Sequence, residues 1–321
     1  MVRFRTLCLG VAALLVAPFV AAAPASAQNY PTQMVKIVVP FSAGSVTDIM
    51  ARIVAEELGR YWGQQVIVEN RAGLPGTIAV AKAAPDGYTL MVTSNGHTVT
   101  GLTNKNLSFD PVKDFAGITR ICSAPYDLIV NPEVPAKSLR ELIELAKAKP
   151  GTLNFSSPGL GSSTFIAGAL FRQAAQIDIV HVPYKGAPES VTAVVRGDAH
   201  MHFAPVNLAK ELAEGGKVRS LAVALAKRMA ELPDVPTFTE AGMPFVYDSW
   251  FGLLAPSGVP KPLIDKINKD VVRVLQTPET KAKLAAQYVL PVIDTPEQFD
   301  KIIRDETAKL TEVFKQAGIG N

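Results

Sequence analysis

The chain has 321 residues, with 32 lysines and arginines against 29 aspartates and glutamates, and a formal net charge of +3. This balance is not that of a nucleic-acid-binding protein, so we expect no nucleic-acid partner. Cys8 and Cys122 are too few for a disulfide scaffold. The fold must therefore rest on a hydrophobic core, which a chain of this length can bury in two domains.

Residues 1–27 have the three parts of a secretory signal peptide. Arg3 and Arg5 form a basic start, residues 7–20 are mostly apolar, and residues 25–27 (ASA) form a small-residue cleavage site. We predict a mature periplasmic chain that begins at Gln28. An uncleaved membrane anchor is the alternative, but the apolar stretch is short for a membrane span.

The next predicted elements are a strand, a loop and a helix. Residues 35–39 form an apolar run typical of a buried strand. Pro40 ends the run, and residues 41–44 (FSAG) form a tight turn. Ser45 followed by Asp48 is typical of a helix N-cap. Because a helix start presents free N–H groups and a positive dipole end, this stretch is a candidate anion site. An ordinary strand-to-helix turn is the alternative.

Further strands and helices alternate along the rest of the chain. Strands are predicted at 65–69, 88–93, 117–130, 177–182, 199–203, 218–224 and 245–254, and helices at 139–147, at 188–196 and over most of the chain from 262. A polar loop is predicted at 94–97. Alternating strands and helices favour an α/β fold with parallel-type sheets.

A second stretch, residues 153–164, repeats the strand and the Ser/Gly loop, and a helix is predicted from 165 to 175. Two such loops predict two halves that each direct a helix N-terminus at a shared cleft. The extended runs near 117–130 and 245–254 would be the crossovers between these halves. We therefore predict one domain from residues 28–126 plus 247–321, and a second domain from residues 127–246.

A series of short motifs runs along the mature chain: PFSAGS at 40–45, ENRAG at 69–73, APDGYTL at 84–90, FDP and KDF at 109–115, LNF and SPGLGS at 153–162, HVPYKG at 181–186, GKVRSLAV at 216–223, PDVPT and EAG at 233–242, and SWFG and AP at 249–256. In this order they resemble the tripartite tricarboxylate transporter substrate-binding proteins, the Bug family of extracytoplasmic receptors. The resemblance covers essentially the whole mature chain.

The resemblance implies a two-domain periplasmic-binding-protein fold of type II, with a ligand cleft between the domains and two crossover segments. It also implies capture of a small organic carboxylate, either a di- or tricarboxylate or an aromatic acid, for uptake by a tripartite tricarboxylate-type transporter. In this family, the loops that match 41–45 and 156–163 hold a carboxylate through backbone amides, small hydroxyls and ordered water. Such a site needs no arginine.

Two groups of candidate ligand-binding residues follow. The residues expected to clamp one carboxylate are Phe41, Ser42, Ala43, Ser45, Ser157, Gly161 and Ser162. The residues expected to contact the other end of the ligand are Thr93, Asn95, His97, Tyr184, Lys185, Gly186 and Pro205. Phe165 and Pro205 stand where the family commonly has a histidine and an acidic residue. If they face the cleft, that side of the site is more apolar than usual.

Two other function classes stay open at this point. A ligand-loaded sensor for a signalling partner would have the same sequence features as a transport receptor. An exported metal-dependent hydrolase would need a catalytic set, and the chain has neither G-x-S-x-G nor H-E-x-x-H. His200 and His202 could hold a metal together with His181. We nevertheless expect no metal, no cofactor and no catalytic residue, and we expect a monomer.

Overall fold

The computed structural model describes residues 29–104, 106–229, 232–247 and 249–316. The predicted signal peptide lies outside the described residues. None of the helices in the described part of the chain is long and apolar enough to cross a bilayer.

The described chain forms strands and helices in alternation. The strands are β1 Val35–Val39, β2 Val66–Asn70, β3 Thr89–Ser94, β4 Phe115–Ala124, β5 Tyr126–Val130, β6 Asn154–Ser157, β7 Val180–Pro183, β8 Met201–Pro205, β9 Arg219–Val223, β10 Ser249–Pro256 and β11 Leu290–Pro291. The helices are α1 Val46–Trp62, α2 Leu74–Ala81, α3 Thr100–Thr103, α4 Leu139–Ala148, α5 Ser163–Ala175, α6 Ala187–Arg196, α7 Val206–Glu214, α8 Lys261–Leu275, α9 Pro278–Ala285 and α10 Pro296–Gln316.

The strands assemble into two sheets, and we call each sheet with the helices packed on it a lobe. The first lobe contains a six-stranded sheet in the order β11-β4-β10-β3-β1-β2. The second lobe contains a five-stranded sheet in the order β7-β6-β8-β5-β9. This α/β architecture of two lobes around a cleft is the predicted periplasmic-binding-protein fold.

Both sheets are mixed, whereas the sequence predicted parallel-type sheets. Strand β1 pairs in parallel with β2 and β3, and β6 pairs in parallel with β7 and β8, as expected for strands joined through helices. Strand β10 runs antiparallel to β3 and β4, and β5 runs antiparallel to β8 and β9. Strands β5 and β10 are next to the crossovers, where the chain enters a sheet from the other lobe. The two-residue β11 also pairs antiparallel with β4 at the edge of the first sheet.

The chain passes between the lobes at two places. Strand β4 of the first sheet and β5 of the second are separated only by Pro125. Proline lacks an N–H and cannot continue a hydrogen-bonded ladder, which fits the change of sheet at this residue. The second passage follows Tyr247, whose N–H donates to Ala224 O at 3.0 Å before β10 joins the first sheet. The exact domain limits, at 126/127 and 246/247, stay a prediction.

The C-terminal helix α10 contacts both lobes. On the first lobe, the fully buried Phe299 packs edge-on against Trp250, with ring centroids 5.0 Å apart. Near the other end of the helix, Phe314 packs against Phe165 of α5, with centroids 5.7 Å apart. Large buried aromatic surfaces of this kind hold elements firmly in place. Helix α10 therefore links the two lobes in addition to the two crossovers.

The segment after β3 differs from the predicted polar loop. Residues Asn95–Val99 form a short 3-10 helix that is buried throughout and leads into α3. Ser94 starts it as the N-cap, because its Oγ accepts from Gly96 N at 3.3 Å. The Thr98 hydroxyl then donates to Asn95 O at 2.7 Å. The side chains of Ser94 and Thr98 therefore form hydrogen bonds with backbone groups of the segment, which lies buried between the lobes.

Candidate functional site

The two predicted helix starts are present in the structure. Ser45 is the N-cap of α1, and its Oγ accepts from Asp48 N at 3.3 Å. Ser162 is the N-cap of α5, and its Oγ accepts from Phe165 N at 3.2 Å. In each helix the earlier first-turn amides have no acceptor within the helix. The positive ends of two helix dipoles therefore lie on the facing loops of the two lobes.

The loop before α1 is held in shape by the buried carboxylate of Asp48. It accepts from Gly44 N at 2.9 Å, from Asn70 Nδ2 at 2.9 Å and from Arg52 Nε at 3.1 Å. Burial alone would raise the pKa of Asp48, but these hydrogen bonds and the charge of Arg52 hold it below its usual range. Asp48 is therefore ionised and fully engaged, so it fixes the loop without facing a ligand.

A cavity of about 420 Å³, which we call the first cavity, opens between the lobes at these loops. Its lining contains no aspartate or glutamate, and its one cationic side chain is that of Lys185. The lining residues are Pro40, Phe41, Ser42, Ser45, Ala72, Gly73, Leu74, Thr77, Thr93, Gly96, His97, Thr100, Asn104, Pro158, Gly159, Leu160, Gly161, Ser162, Tyr184, Lys185, Gly186 and Ala187.

A second cavity of about 210 Å³ adjoins the first, and Phe41, Ser45, Pro158, Ser162 and Ala187 line both. No charged side chain lines the second cavity. Its other lining residues are Gly44, Val46, Thr47, Ile49, Ser94, Tyr126, Ser163, Thr164, Val191, His202, Pro205, Asn207, Leu208 and Phe251. The two helix starts thus form part of the wall that the cavities share.

Most of the predicted binding residues lie at these cavities. Those that line the first cavity are Phe41, Ser42, Ser45, Thr93, His97, Gly161, Ser162, Tyr184, Lys185 and Gly186, while Pro205 lines the second. The structure thus brings residues from both lobes together around one space. Their contact with a ligand stays a prediction.

Three predicted residues lie outside both linings. Ala43 is exposed on the loop before α1. The Ser157 hydroxyl lies 2.7 Å from His181 Nε2 and also accepts from Gly159 N at 3.0 Å, so it shapes its own loop. Asn95 is fully buried in a hydrogen-bond network between the lobes, described below. Sequence alone could not distinguish a hydroxyl or amide that supports the loops from one that faces the cavity.

The loop and helix start at residues 72–77 were not among the predicted binding residues. Ala72, Gly73, Leu74 and Thr77 line the first cavity at the N-terminus of α2. The signal was available, because the ENRAG motif ends at Gly73 and Pro75 follows it, and proline is common at the first positions of a helix. Thr100 and Asn104 were also not predicted, since the 3-10 helix that brings them to the cavity was read as a loop.

His97 is a neutral member of the lining. Its Nε2–H donates to Pro111 O at 2.6 Å, and its ring packs edge-on against Phe115. Burial lowers the pKa of His97 to about 4, against the opposing effect of the hydrogen bond to Pro111. The side chain therefore supplies shape to the first cavity and no positive charge at neutral pH.

The lobes touch across the cleft at two glycines. A Cβ on Gly96 would lie 1.7 Å from Gly161 O, so the backbones of the two lobes are in close contact there. A Cβ on Gly186 of the second lobe would lie 3.2 Å from Ser42 Oγ of the first. The two lobes are therefore in direct contact at both of these points.

The three histidines of the metal hypothesis are engaged in the second lobe. His202 Nδ1 donates to Ser156 O at 2.8 Å, and His200 Nδ1 accepts from Asn154 N at 3.2 Å. His181 is bound to Ser157 as described above. Within the described residues, no group of three or more histidine, cysteine, aspartate or glutamate side chains could hold a metal ion.

Residues 50–319 match the family model described as the tripartite tricarboxylate transporter family receptor. The chain belongs to this family. The match covers both lobes, and it agrees with the resemblance seen in the motifs. Proteins of this family are periplasmic solute receptors that serve tripartite tricarboxylate transporters.

Individual members of the receptor family are similar over nearly their full length. Protein BugT of Bordetella pertussis is 34% identical over 319 residues, which span 98% of each chain. A solved structure of an R. palustris protein with adipate has a TM-score of 0.83 at 33% identity and covers 91% of this chain and 99% of its own. The structure of MatC from Rhodopseudomonas palustris with bound malate has a TM-score of 0.80 at 31% identity, and the match covers 88% of this chain and 99% of MatC.

Proposed function

We propose that this receptor captures a small organic carboxylate, a di- or tricarboxylate or an aromatic acid, in the cleft between its lobes. The observation that carries the proposal is the pair of helix starts, at Ser45 and Ser162, in the shared wall of two cavities that no acidic side chain lines. Helix N-termini bind anions through backbone N–H groups and the helix dipole. Acidic side chains in the lining would repel a carboxylate, and the linings of both cavities contain none.

The polar side chains that remain available in the first cavity support the same ligand chemistry. Among the described residues, no hydrogen-bond partner is found for the hydroxyls of Ser42, Thr77 and Thr93 or for the Lys185 ammonium group. Hydroxyl and ammonium groups donate charge-assisted hydrogen bonds to carboxylates. The volume of about 420 Å³ lies within the usual range for small-molecule sites.

Two similar solved structures add support, since one holds adipate and the other holds malate. Both ligands are small dicarboxylates. For this chain we propose binding without turnover, because the serine hydroxyls found within hydrogen-bond distance of a histidine among the described residues, those of Ser156 and Ser157, lie outside both cavity linings. We also propose export to the periplasm, a monomeric state, and recognition of the closed, loaded form by membrane components of the transporter.

A thermal-shift screen of the mature chain tests the proposed function. The panel contains C4–C6 dicarboxylates, citrate and aromatic acids, with the methyl esters of the same acids as matched controls. A ligand that binds only the folded protein stabilises it by about 2.7 kcal/mol at a hundredfold excess over its Kd. We expect at least one acid to raise the melting temperature while its ester does not. The proposal fails if only esters, sugars or amines stabilise the protein.

A further inference from the structure

We propose that the second cavity is the specificity pocket for an uncharged, apolar body of the ligand. The substrate class is then a carboxylic acid that carries an aliphatic or aromatic group of about six carbons and no ammonium group. This inference rests on the proposed function, because it assumes that a carboxylate lies at the helix starts.

Apolar side chains from several elements form about half of the lining of the second cavity. Val46 and Ile49 come from α1, Val191 from α6, Leu208 from α7 and Phe251 from β10, while Tyr126 and Pro205 complete the wall. No aspartate, glutamate, lysine or arginine is among the lining residues. A ligand group with a charge would lose its hydration there without gaining an opposite charge, which is strongly unfavourable.

Several polar side chains in this wall already have protein partners. Ser94 Oγ accepts from Gly96 N at 3.3 Å, and Ser163 Oγ donates to Asn95 Oδ1 at 2.7 Å. His202 is held by its hydrogen bond to Ser156, and burial lowers the pKa of its imidazole to about 4. These groups are neutral and engaged, so they offer little to a polar ligand. The wall also contains the Thr47 hydroxyl, for which no partner is found among the described residues, and Asn207, whose Nδ2 donates to Gln287 Oε1 at 3.4 Å. Both groups are uncharged, whereas the lining of the first cavity includes the ammonium group of Lys185.

The size and position of the second cavity fit the body of a small acid. An apolar protein cavity of about 150 Å³ is large enough to hold benzene. The volume of about 210 Å³ is therefore sufficient for a phenyl ring or a short alkyl chain. Since Ser45 and Ser162 line both cavities, a carboxylate at the helix starts can extend its body directly into this space.

A matched set of six-carbon acids tests the inference by calorimetry on the mature chain. Hexanoate, adipate and 6-aminohexanoate share a carboxylate on four methylenes and differ only at the far end, which is a methyl, a carboxylate or a protonated aminomethyl group. We expect hexanoate to bind at least tenfold more tightly than either of the others. In the series from butanoate to hexanoate, each added methylene should increase the affinity about fourfold, as burial of one methylene does.

Two substitutions in the second cavity test whether the body of the ligand lies there. Leu208→Asp places a carboxylate in the wall at the third residue of α7, where helix starts tolerate acids well. We expect it to weaken hexanoate binding and to permit 6-aminohexanoate binding, whereas the uncharged Leu208→Asn control should not bind 6-aminohexanoate. Val191→Phe fills the cavity, and we expect it to abolish the gain from butanoate to hexanoate.

The outcomes separate this inference from the proposed function. If adipate binds most tightly and Lys185→Met removes that preference, the far end lies in the first cavity and the inference is wrong, while carboxylate capture stands. If hexanoate affinity is unchanged in Val191→Phe, the inference is also wrong. If neither these acids nor any acid of the wider panel binds, the proposed function itself fails, and the inference fails with it.

Discussion

At the scale of single residues, Gly96 and Gly161 meet across the cleft, but the space around them differs. A Cβ on Gly96 would collide with the Gly161 carbonyl, whereas a Cβ on Gly161 would have no atom within 4 Å. Gly161 was predicted to help clamp the carboxylate, whereas Gly96 was not among the predicted residues. The position that requires a glycine is Gly96, because the 3-10 helix after β3 brings it against the other lobe. This contact joins residues far apart in the chain, so local sequence signals could not reveal it.

We expect Gly96→Ala to prevent full closure of the cleft. The added methyl group must push the lobes apart, so the affinity for the best acid of the panel should fall at least tenfold, and small-angle scattering should show a larger radius of gyration with ligand present. Gly161→Ala is the matched control, and its scattering profile should stay that of the closed protein. An unchanged radius of gyration in Gly96→Ala would show that the contact between Gly96 and Gly161 does not limit closure.

Asp127 is the second residue with an unusual environment. It lies fully buried on β5, and neither of its carboxylate oxygens has a hydrogen-bond partner within the described part of the chain. Burial raises the pKa of its carboxyl from 3.8 to about 7, against a smaller opposing effect of the nearby Ser220 hydroxyl. No local sequence pattern distinguishes Asp127, which is one polar position in an extended apolar run.

The raised pKa of Asp127 predicts a pH-dependent stability. Because the folded state binds the proton more tightly than the unfolded state, the stabilising contribution is complete below about pH 4 and is lost as the pH rises through 7. Between pH 5 and pH 8, the free energy of unfolding should fall by an amount on the order of 2 kcal/mol from this group. Asp127→Asn should remove that part of the dependence, which urea unfolding at both pH values measures. An equal pH dependence in the variant would refute the assignment.

At the scale of elements, local sequence signals predicted the helix starts and strands well. Ser45 and Ser162 are the N-caps that the sequence indicated, and β1 has the predicted limits. Caps and apolar runs are properties of neighbouring residues, so they can be read without the fold. The orientation of β10 could not be read in this way, because it depends on where the chain crosses between the lobes.

Two substitutions of Ser162 can distinguish its effect on helix stability from its effect on anion binding. Its hydroxyl accepts from Phe165 N and donates to Gly159 O at 2.7 Å, so Ser162→Ala should lower the free energy of unfolding by about 1 kcal/mol. Ser162→Asp should restore the cap, since aspartate is an equally good N-cap, yet its charge should repel the ligand and weaken acid binding at least tenfold. Urea unfolding and calorimetry measure the two effects. Wild-type acid affinity in Ser162→Asp would place the carboxylate elsewhere.

At the scale of the whole molecule, a buried hydrogen-bond network joins the two lobes. Asn95 Oδ1 accepts from Ser163 Oγ at 2.7 Å, and Asn95 Nδ2 donates to Tyr247 OH at 2.9 Å and to Glu306 of α10 at 3.2 Å. Tyr247 OH donates to Ser163 O at 2.9 Å. These residues come from four distant parts of the chain. The two-lobe arrangement was predictable from repeated motifs, but this network was not, because no local pattern relates its members.

We expect Tyr247→Phe to weaken the closed state, because it leaves Asn95 Nδ2 and Ser163 O with fewer partners in a buried place. The free energy of unfolding should fall by about 1–2 kcal/mol, and acid affinity should fall with it. Tyr61→Phe is the control, since Tyr61 is exposed and lies outside both cavities. Equal stability of Tyr247→Phe and the wild type in urea would show that the network does not hold the lobes together.

The central claim is that the cleft recognises a carboxylate through both helix starts, and one calorimetric titration tests it most directly. The mature wild-type chain is titrated with the acid that stabilises it most and, in a parallel run, with the methyl ester of that acid. Our account predicts saturable one-to-one binding of the acid and at least a hundredfold weaker binding of the ester, because only the acid offers a charge to the helix N-termini. Equal affinity for acid and ester would contradict the account.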